Sequence, residues 1–205
     1  MLSRSTTVPA RARPGRRRVL AGDDHGDRRA ERIRQVHLLA ALAGFVAATG
    51  AIALGGEPVL PGAGRDWLAW SGQRADLLPG TVASNVALGT RSPDAARVAA
   101  ALALAGVDLE PERRIDAEGT GLSGGQSARV AAARAIHRLL ERGCRVLALD
   151  EPTAALDAEA ERALLAGLRT LADDGAIVII ASHRPATLAA ADTVLALQPA
   201  EAVLR

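Results

Sequence analysis

Two short, uninterrupted apolar runs, Val146–Leu149 and Ala176–Ala181, constrain this chain most. Asp150-Glu151 follows the first and Ser182-His183 follows the second. Apolar runs without alternation suit strands buried on both faces. Between them, Ala158–Leu171 has helical spacing; Pro185–Ala191 and Thr193–Leu197 then read as a short helix and a final strand. Strand, helix, strand, helix, strand predicts an α/β fold, a parallel sheet with helices on both faces. The carboxyl ends of parallel strands share one edge, where such folds bind ligands. Asp150, Glu151 and His183 are therefore expected on that edge.

Upstream, Trp67–Trp70 reads as a strand leading into Ser71-Gly72-Gln73. A helix is expected to start at Gly80-Thr81-Val82 with Thr81 as its cap. Residues 92–106 read as an Ala-rich helix, with Ser92 capping, Pro93 at the first position and Gly106 at the end. A longer helix is expected from Ser123 to about Arg142. Leu38–Leu54 is uncharged and leaves two readings open. One is a membrane anchor behind arginines. The other is a helix at 38–46, a turn at Thr49-Gly50 and a strand at Ala51–Leu54.

The chain is 49% hydrophobic but only 1% aromatic, so Ala, Leu and Val must build its core. It contains no Lys; all 25 residues counted as Lys or Arg are Arg. Single Cys144 excludes an internal disulfide and reads as a buried thiol. A net charge of +2 calls for no particular partner, and no nucleic-acid role is assigned. Residues 1–37 are crowded with Arg and lack apolar periodicity, so disorder is expected there. A nucleic-acid arm or a targeting peptide is the functional alternative.

Leu122-Ser123-Gly124-Gly125-Gln126, Val146–Thr153, Ala155-Leu156-Asp157 and Ala181-Ser182-His183 occur in this order and spacing. Together they resemble the ATP-binding subunit of ABC transporters, over about Leu38 to Arg205. The Leu77–Val86 segment is similar to the export type, and the flank of Gln73 and the signature region together look most like heterodimeric thiol exporters of cytochrome bd assembly. The resemblance implies a P-loop NTPase-like sheet, truncated at its N-terminal part, with an inserted helical subdomain at about 80–142.

It also implies roles. Asp150 would hold Mg²⁺ and Glu151 would polarise the attacking water. His183 would contact the γ-phosphate and orient that water, and Gln73 would join metal and water through its amide oxygen. Ser123, Gly124, Gly125 and Gln126 open a helix, where backbone N–H groups and the helix dipole favour phosphate. In the family this stretch closes on ATP held by a second nucleotide-binding domain, identical or different, and Asp157 lies at the same interface. A transmembrane domain, separate or fused upstream, and the cytoplasmic face of the cell membrane complete the implied setting.

A phosphate loop, Gly-x-x-x-x-Gly-Lys-Ser/Thr, is expected just before Leu38 and is absent. Its Lys and hydroxyl would hold phosphates and Mg²⁺. Codons for Ala30–His37 can be chosen so that, in a shifted frame, they spell Gly-Pro-Ser-Gly-Ser-Gly-Lys-Ser-Thr against Leu38-Leu39. One missing base at the His37/Leu38 junction would make residues 1–37 a wrong-frame translation. Two other readings compete with an active transport ATPase. One is a non-hydrolysing partner that lends only its signature stretch. The other is an ABC ATPase unconnected to transport.

Overall fold

The computed structural model describes residues 17–21, 28–46, 51–59, 66–116 and 121–196. Five strands form one sheet: β1 (Arg17–Ala21), β4 (Leu68–Ser71), β7 (Val146–Asp150), β8 (Ile177–Ala181) and β9 (Thr193–Ala196). Their order is β4-β7-β8-β1-β9, and every pairing is parallel. Two hairpin-like pairs stand apart, β2 (Ile52–Leu54) with β3 (Glu57–Val59) and β5 (Gly80–Thr81) with β6 (Arg114–Ile115). The helices are α1 (Arg28–Ala43), α2 (Val82–Val86), α3 (Ala95–Leu104), α4 (Gly124–Arg142), α5 (Ala158–Asp173) and α6 (Pro185–Ala189).

The sheet is covered on both faces, and β7 shows how. Leu147 and Leu149 join the larger core cluster with α3, α4 and α5. Val146 and Ala148 join a second cluster on the other face, with Leu39 of α1 and Leu54 of β2. Strand side chains alternate between faces, so two apolar faces produce one continuous apolar run.

The Arg-rich segment differs from the disorder expected of residues 1–37. Arg17–Ala21 is a strand inside the sheet, with Val19 opposite Ile180 on one side and Val194 on the other. Helix α1 begins at Arg28. The physical reason is backbone pairing: without β1, the facing edges of β8 and β9 would expose unpaired N–H and C=O groups. The other residues before Arg28 lie outside the described ones. Between the two readings of Leu38–Leu54, the structure has a helix ending at Ala43 and the strand β2. Among the described residues no helix is long and apolar enough to cross a membrane.

Helices α2, α3 and α4 pack on one another around Val86, Val98 and Ile136. Thr81 caps α2 in a reciprocal capping box with Ser84. The cap of α3 is Asp94, not Ser92; its carboxylate accepts from the Ala96 amide at 2.9 Å. Asp is an equally good cap, and it moves the helix start beyond Pro93. Cys144 is buried, and burial pushes its thiol pKa up, so it stays protonated.

Candidate functional site

Asp150 closes β7 at the carboxyl edge and is buried. The next residue, Glu151, leaves the strand with φ 47, the one positive φ at a non-glycine among the described residues. Such backbone costs on the order of 1–3 kcal/mol and persists only where neighbours enforce it. Here the Glu151 amide donates to the Ala181 carbonyl at the end of β8, at 2.9 Å. The chain is thereby pinned where two parallel strands end. The Glu151 carboxylate lies buried, and its Oε1 is 2.6 Å from Nδ1 of His183. An ionised carboxylate only accepts, so in that state the ring donates this bond from Nδ1. The His183 side chain is 66% exposed, so it can meet a ligand from solvent. The other carboxylate oxygen, Oε2 of Glu151, is buried without a partner.

Gln73 and Asp150 line one cavity of about 420 Å³ with Trp70, Arg74, Asp76 and Arg134. Among the described residues no group of three or more His, Cys, Asp or Glu could hold a metal. Asp150 and Gln73 both line this cavity, so their side-chain oxygens could hold a Mg²⁺ that takes its remaining ligands from phosphate and water. The residues present therefore fit Mg²⁺ as a companion of a phosphate, not as a protein-caged ion.

Ser123–Gln126 packs against the turn after β7. A Cβ on Gly125 would lie 2.9 Å from the Ala155 carbonyl oxygen and 3.3 Å from Leu156, so this glycine has a packing reason within its own chain. Ser123 caps α4: its hydroxyl accepts from the Gln126 amide at 3.1 Å, and the Gln126 side chain accepts from the Ser123 amide at 2.9 Å. Gln126 is therefore committed to holding the helix start. Ser123 and Gly124 remain exposed at the N-terminus of a 19-residue helix. Asp157 caps α5 by accepting from the amides of Glu159 and Ala160, at 3.1 and 2.8 Å.

The sequence reading missed two groups. Arg134 of α4 donates to the carbonyls of Asp76 and Asn85 and to the Asn85 side chain. Asn85 also bonds the Leu78 amide and carbonyl, so the segment after Gln73 is tied to α4. Burial lowers the Arg134 pKa despite nearby Asp76. The available signal was a lone Arg among Ala133, Ala135 and Ile136 on a buried helix face. The second missed group is Arg184, Glu161, Thr187 and Thr153, behind the Glu151–His183 pair.

The ABC transporter family model matches residues 37–154. An ATP-dependent lipid A-core flippase of Xanthomonas oryzae pv. oryzae (strain MAFF 311018) is 39% identical over 172 residues, covering 78% of this chain and 28% of the flippase. The flippase of that name from Burkholderia orbicola (strain AU 1054) is 38% identical over 146 residues, covering 68% and 24%. Among solved structures, a bacterial Atm1-family ABC exporter with ATP bound superposes with a TM-score of 0.73 at 26% identity, covering 90% of this chain and 32% of the exporter. The chain thus spans about a quarter of the length of the curated relatives it matches.

Proposed function

The chain belongs to the ABC transporter family, and on that premise we propose that it is the ATP-hydrolysing domain of an export-type transporter. The observation that carries this is the Glu151–His183 pair, 2.6 Å apart at the carboxyl edge of the sheet, one residue from Asp150. Glu151 would take the proton of an attacking water. His183 would hold Glu151 through Nδ1 and present Nε2 to the reacting phosphoryl region. Asp150 and Gln73 would hold Mg²⁺, which supplies charge neutralisation on the phosphates when bound. The exposed N-terminus of α4 would serve the nucleotide of a second such domain, across the interface that Asp157 borders. The setting is the cytoplasmic face of a membrane, beside a transmembrane domain that is fused or separate.

The relatives named above are lipid flippases and an Atm1-family exporter, and a thiol-exporter role finds no support among them. A second reading has its own observation: there is no Lys in the chain to hold phosphates, while the Ser123 cap and the exposed Gly124 are in place. The chain would then lend its signature helix to a partner that carries a complete phosphate loop.

The strand β1 also narrows the frame argument. If Arg17–Ala21, which pairs in the sheet, is in frame, a wrong-frame stretch would start after Ala21 and end at His37, and it would include the first ten residues of α1. Two compensating base changes are then needed, the first between Ala21 and Arg29.

The test is ATP binding and turnover by the isolated chain, alone and with residues 29–37 replaced by Gly-Pro-Ser-Gly-Ser-Gly-Lys-Ser-Thr. The chain as it stands should turn over ATP negligibly. The rebuilt chain should bind it, and adding Glu151→Gln should leave ATP bound without turnover. Strong ATPase activity in the unmodified chain would overturn the role given to the missing loop. Undiminished turnover in the Glu151→Gln protein would overturn the role given to Glu151.

A further inference from the structure

The Arg184 guanidinium connects three segments behind the site. Its Nη1 donates to the carbonyls of Thr153 and, at 3.0 Å, of Leu156. Its Nη2 pairs with Oε2 of Glu161, in the first turn of α5, at 2.7 Å. The other Glu161 oxygen accepts from the Thr187 hydroxyl of α6 at 3.1 Å, and that hydroxyl lies 3.2 Å from Thr153 Oγ1. Glu161, Thr153 and Thr187 are all buried. The two gripped carbonyls lie within one turn, whose ends are Glu151 and Asp157. Arg184 itself directly follows His183. One planar fork therefore fixes the distance from the His183 backbone to the turn that carries Glu151 and Asp157.

We propose that Arg184, anchored by Glu161, is a positioning residue: it fixes the Glu151–Asp157 turn against His183 and so keeps the Glu151–His183 pair formed. Its importance for catalysis rests on the reading of Glu151 and His183 given above. The chemistry requires Arg. An ammonium is a single point on a flexible stem and cannot bridge two carbonyls and a carboxylate in fixed directions. The buried Glu161 calls for a cation, since removing one partner of a buried ion pair leaves an uncompensated charge. A purely space-filling cluster would need neither feature.

The test uses the full chain with ¹⁵N-labelled histidines and no nucleotide, so it reports on Arg184 even if the chain never binds ATP. Long-range ¹H–¹⁵N correlations read the tautomer of the His183 ring. In the unmodified chain Nδ1 should be protonated. In Arg184→Lys the pattern should shift to the averaged tautomers of a free imidazole. In Thr187→Val, which removes hydroxyl bonds of the same cluster but spares the guanidinium contacts, the pattern should stay. Retention in Arg184→Lys, or equal loss in Thr187→Val, would overturn the proposal. If Arg184→Lys does not fold, Glu161→Gln weakens the anchor while keeping an acceptor. The amides of Ala154 and Leu156, bonded to the Glu151 and Thr153 carbonyls, should then exchange about tenfold faster through local opening. Unchanged exchange there would equally overturn it.

Discussion

Neighbouring strands of one sheet end very differently. β7 and β8 run into Asp150-Glu151 and Ser182-His183, and the structure joins Glu151 to His183. β1 lies beside β8 in the same direction, yet it runs into Gly22-Asp23-Asp24-His25-Gly26-Asp27 before α1. One end carries the groups proposed above to activate water; the sequence that follows the other is rich in carboxylates and, like the rest of the chain, has no Lys. The contrast separates fold from chemistry. Strand pairing needs only backbone and modest apolar side chains, so β1 forms from Arg-Arg-Val-Leu-Ala. Phosphate binding needs specific donors, and these do not follow from the fold.

The largest expected effect comes from removing this contrast. Placing Gly-Pro-Ser-Gly-Ser-Gly-Lys-Ser-Thr over residues 29–37 adds a Lys and a series of backbone donors. Charge-assisted hydrogen bonds of about 3 kcal/mol in total correspond to about 100-fold tighter ATP binding. Calorimetric titration with ATP checks it. Equal binding before and after would show that residues 29–37 are not where nucleotide affinity is decided. Sequencing the gene gives an independent check, since codons that cannot be regrouped into this loop would end the frame argument.

Next in size is Gly167→Ala, on the side of the molecule that is complete. A Cβ there would lie 1.8 Å from the Leu104 carbonyl oxygen and 2.6 Å from its carbon, where α5 crosses the end of α3. Backbone cannot swing aside as a side-chain tip can, so the helices must separate. A loss of about 3 kcal/mol is expected from such overpacking, read by urea denaturation. A loss below about 0.5 kcal/mol, the range of neutral surface changes, would mean that this crossing has slack.

Legibility in the sequence follows the same division. β7, β8, α4 and α5 were visible because burial on both faces, helical spacing and glycine-marked ends each left a pattern. Asp150, Glu151 and His183 were visible because they end such runs. β1 was not, since two of its five residues are Arg and its remaining apolar stretch is too short for a period to show. β3 and β6 were missed for related reasons: Glu57-Pro58-Val59 is mostly exposed, and Arg114-Ile115, though Ile115 is buried, is too short for a period to show. Arg184 and Glu161 look like ordinary surface charges in a sequence. Only the fold brings residues 153, 161 and 184 together.

The signature stretch offers a smaller and sharper comparison between adjacent glycines. A Cβ on Gly125 would press on the Ala155 carbonyl at 2.9 Å, while one on Gly124 would meet only the Ala155 methyl at 3.8 Å. Gly125→Ala should cost about 1–2 kcal/mol by overpacking. Gly124→Ala should be within about 0.5 kcal/mol of the unmodified chain, since ordinary contact and better helix propensity favour it. Any defect of Gly124→Ala in assembly with a second domain would then reflect the exposed face and not the fold. Equal destabilisation by both would erase the distinction.

The smallest effect concerns His137, buried in α4 with its Nε2 unpaired. Burial lowers its pKa below 6.5; Glu141 and Asp94 oppose that shift and Arg97 assists it. The folded chain therefore keeps His137 neutral at a pH where the unfolded chain has already taken up a proton. By linkage, stability is retained above 6.5 and falls as the pH drops from there toward the folded pKa. One group can contribute a slope of at most about 1.4 kcal/mol per pH unit. His137→Leu, which has no proton to gain and no orphan nitrogen, should flatten that part of the profile. The comparison that isolates it is the difference in unfolding free energy between the two proteins from pH 7.5 to 5. That difference should grow as the pH falls. A constant difference would mean that His137 is protonated equally in both states. Acid sensitivity would then have to come from exposed carboxylate pairs such as Arg97 with Glu141, and not from the buried face of the helix that the signature stretch begins.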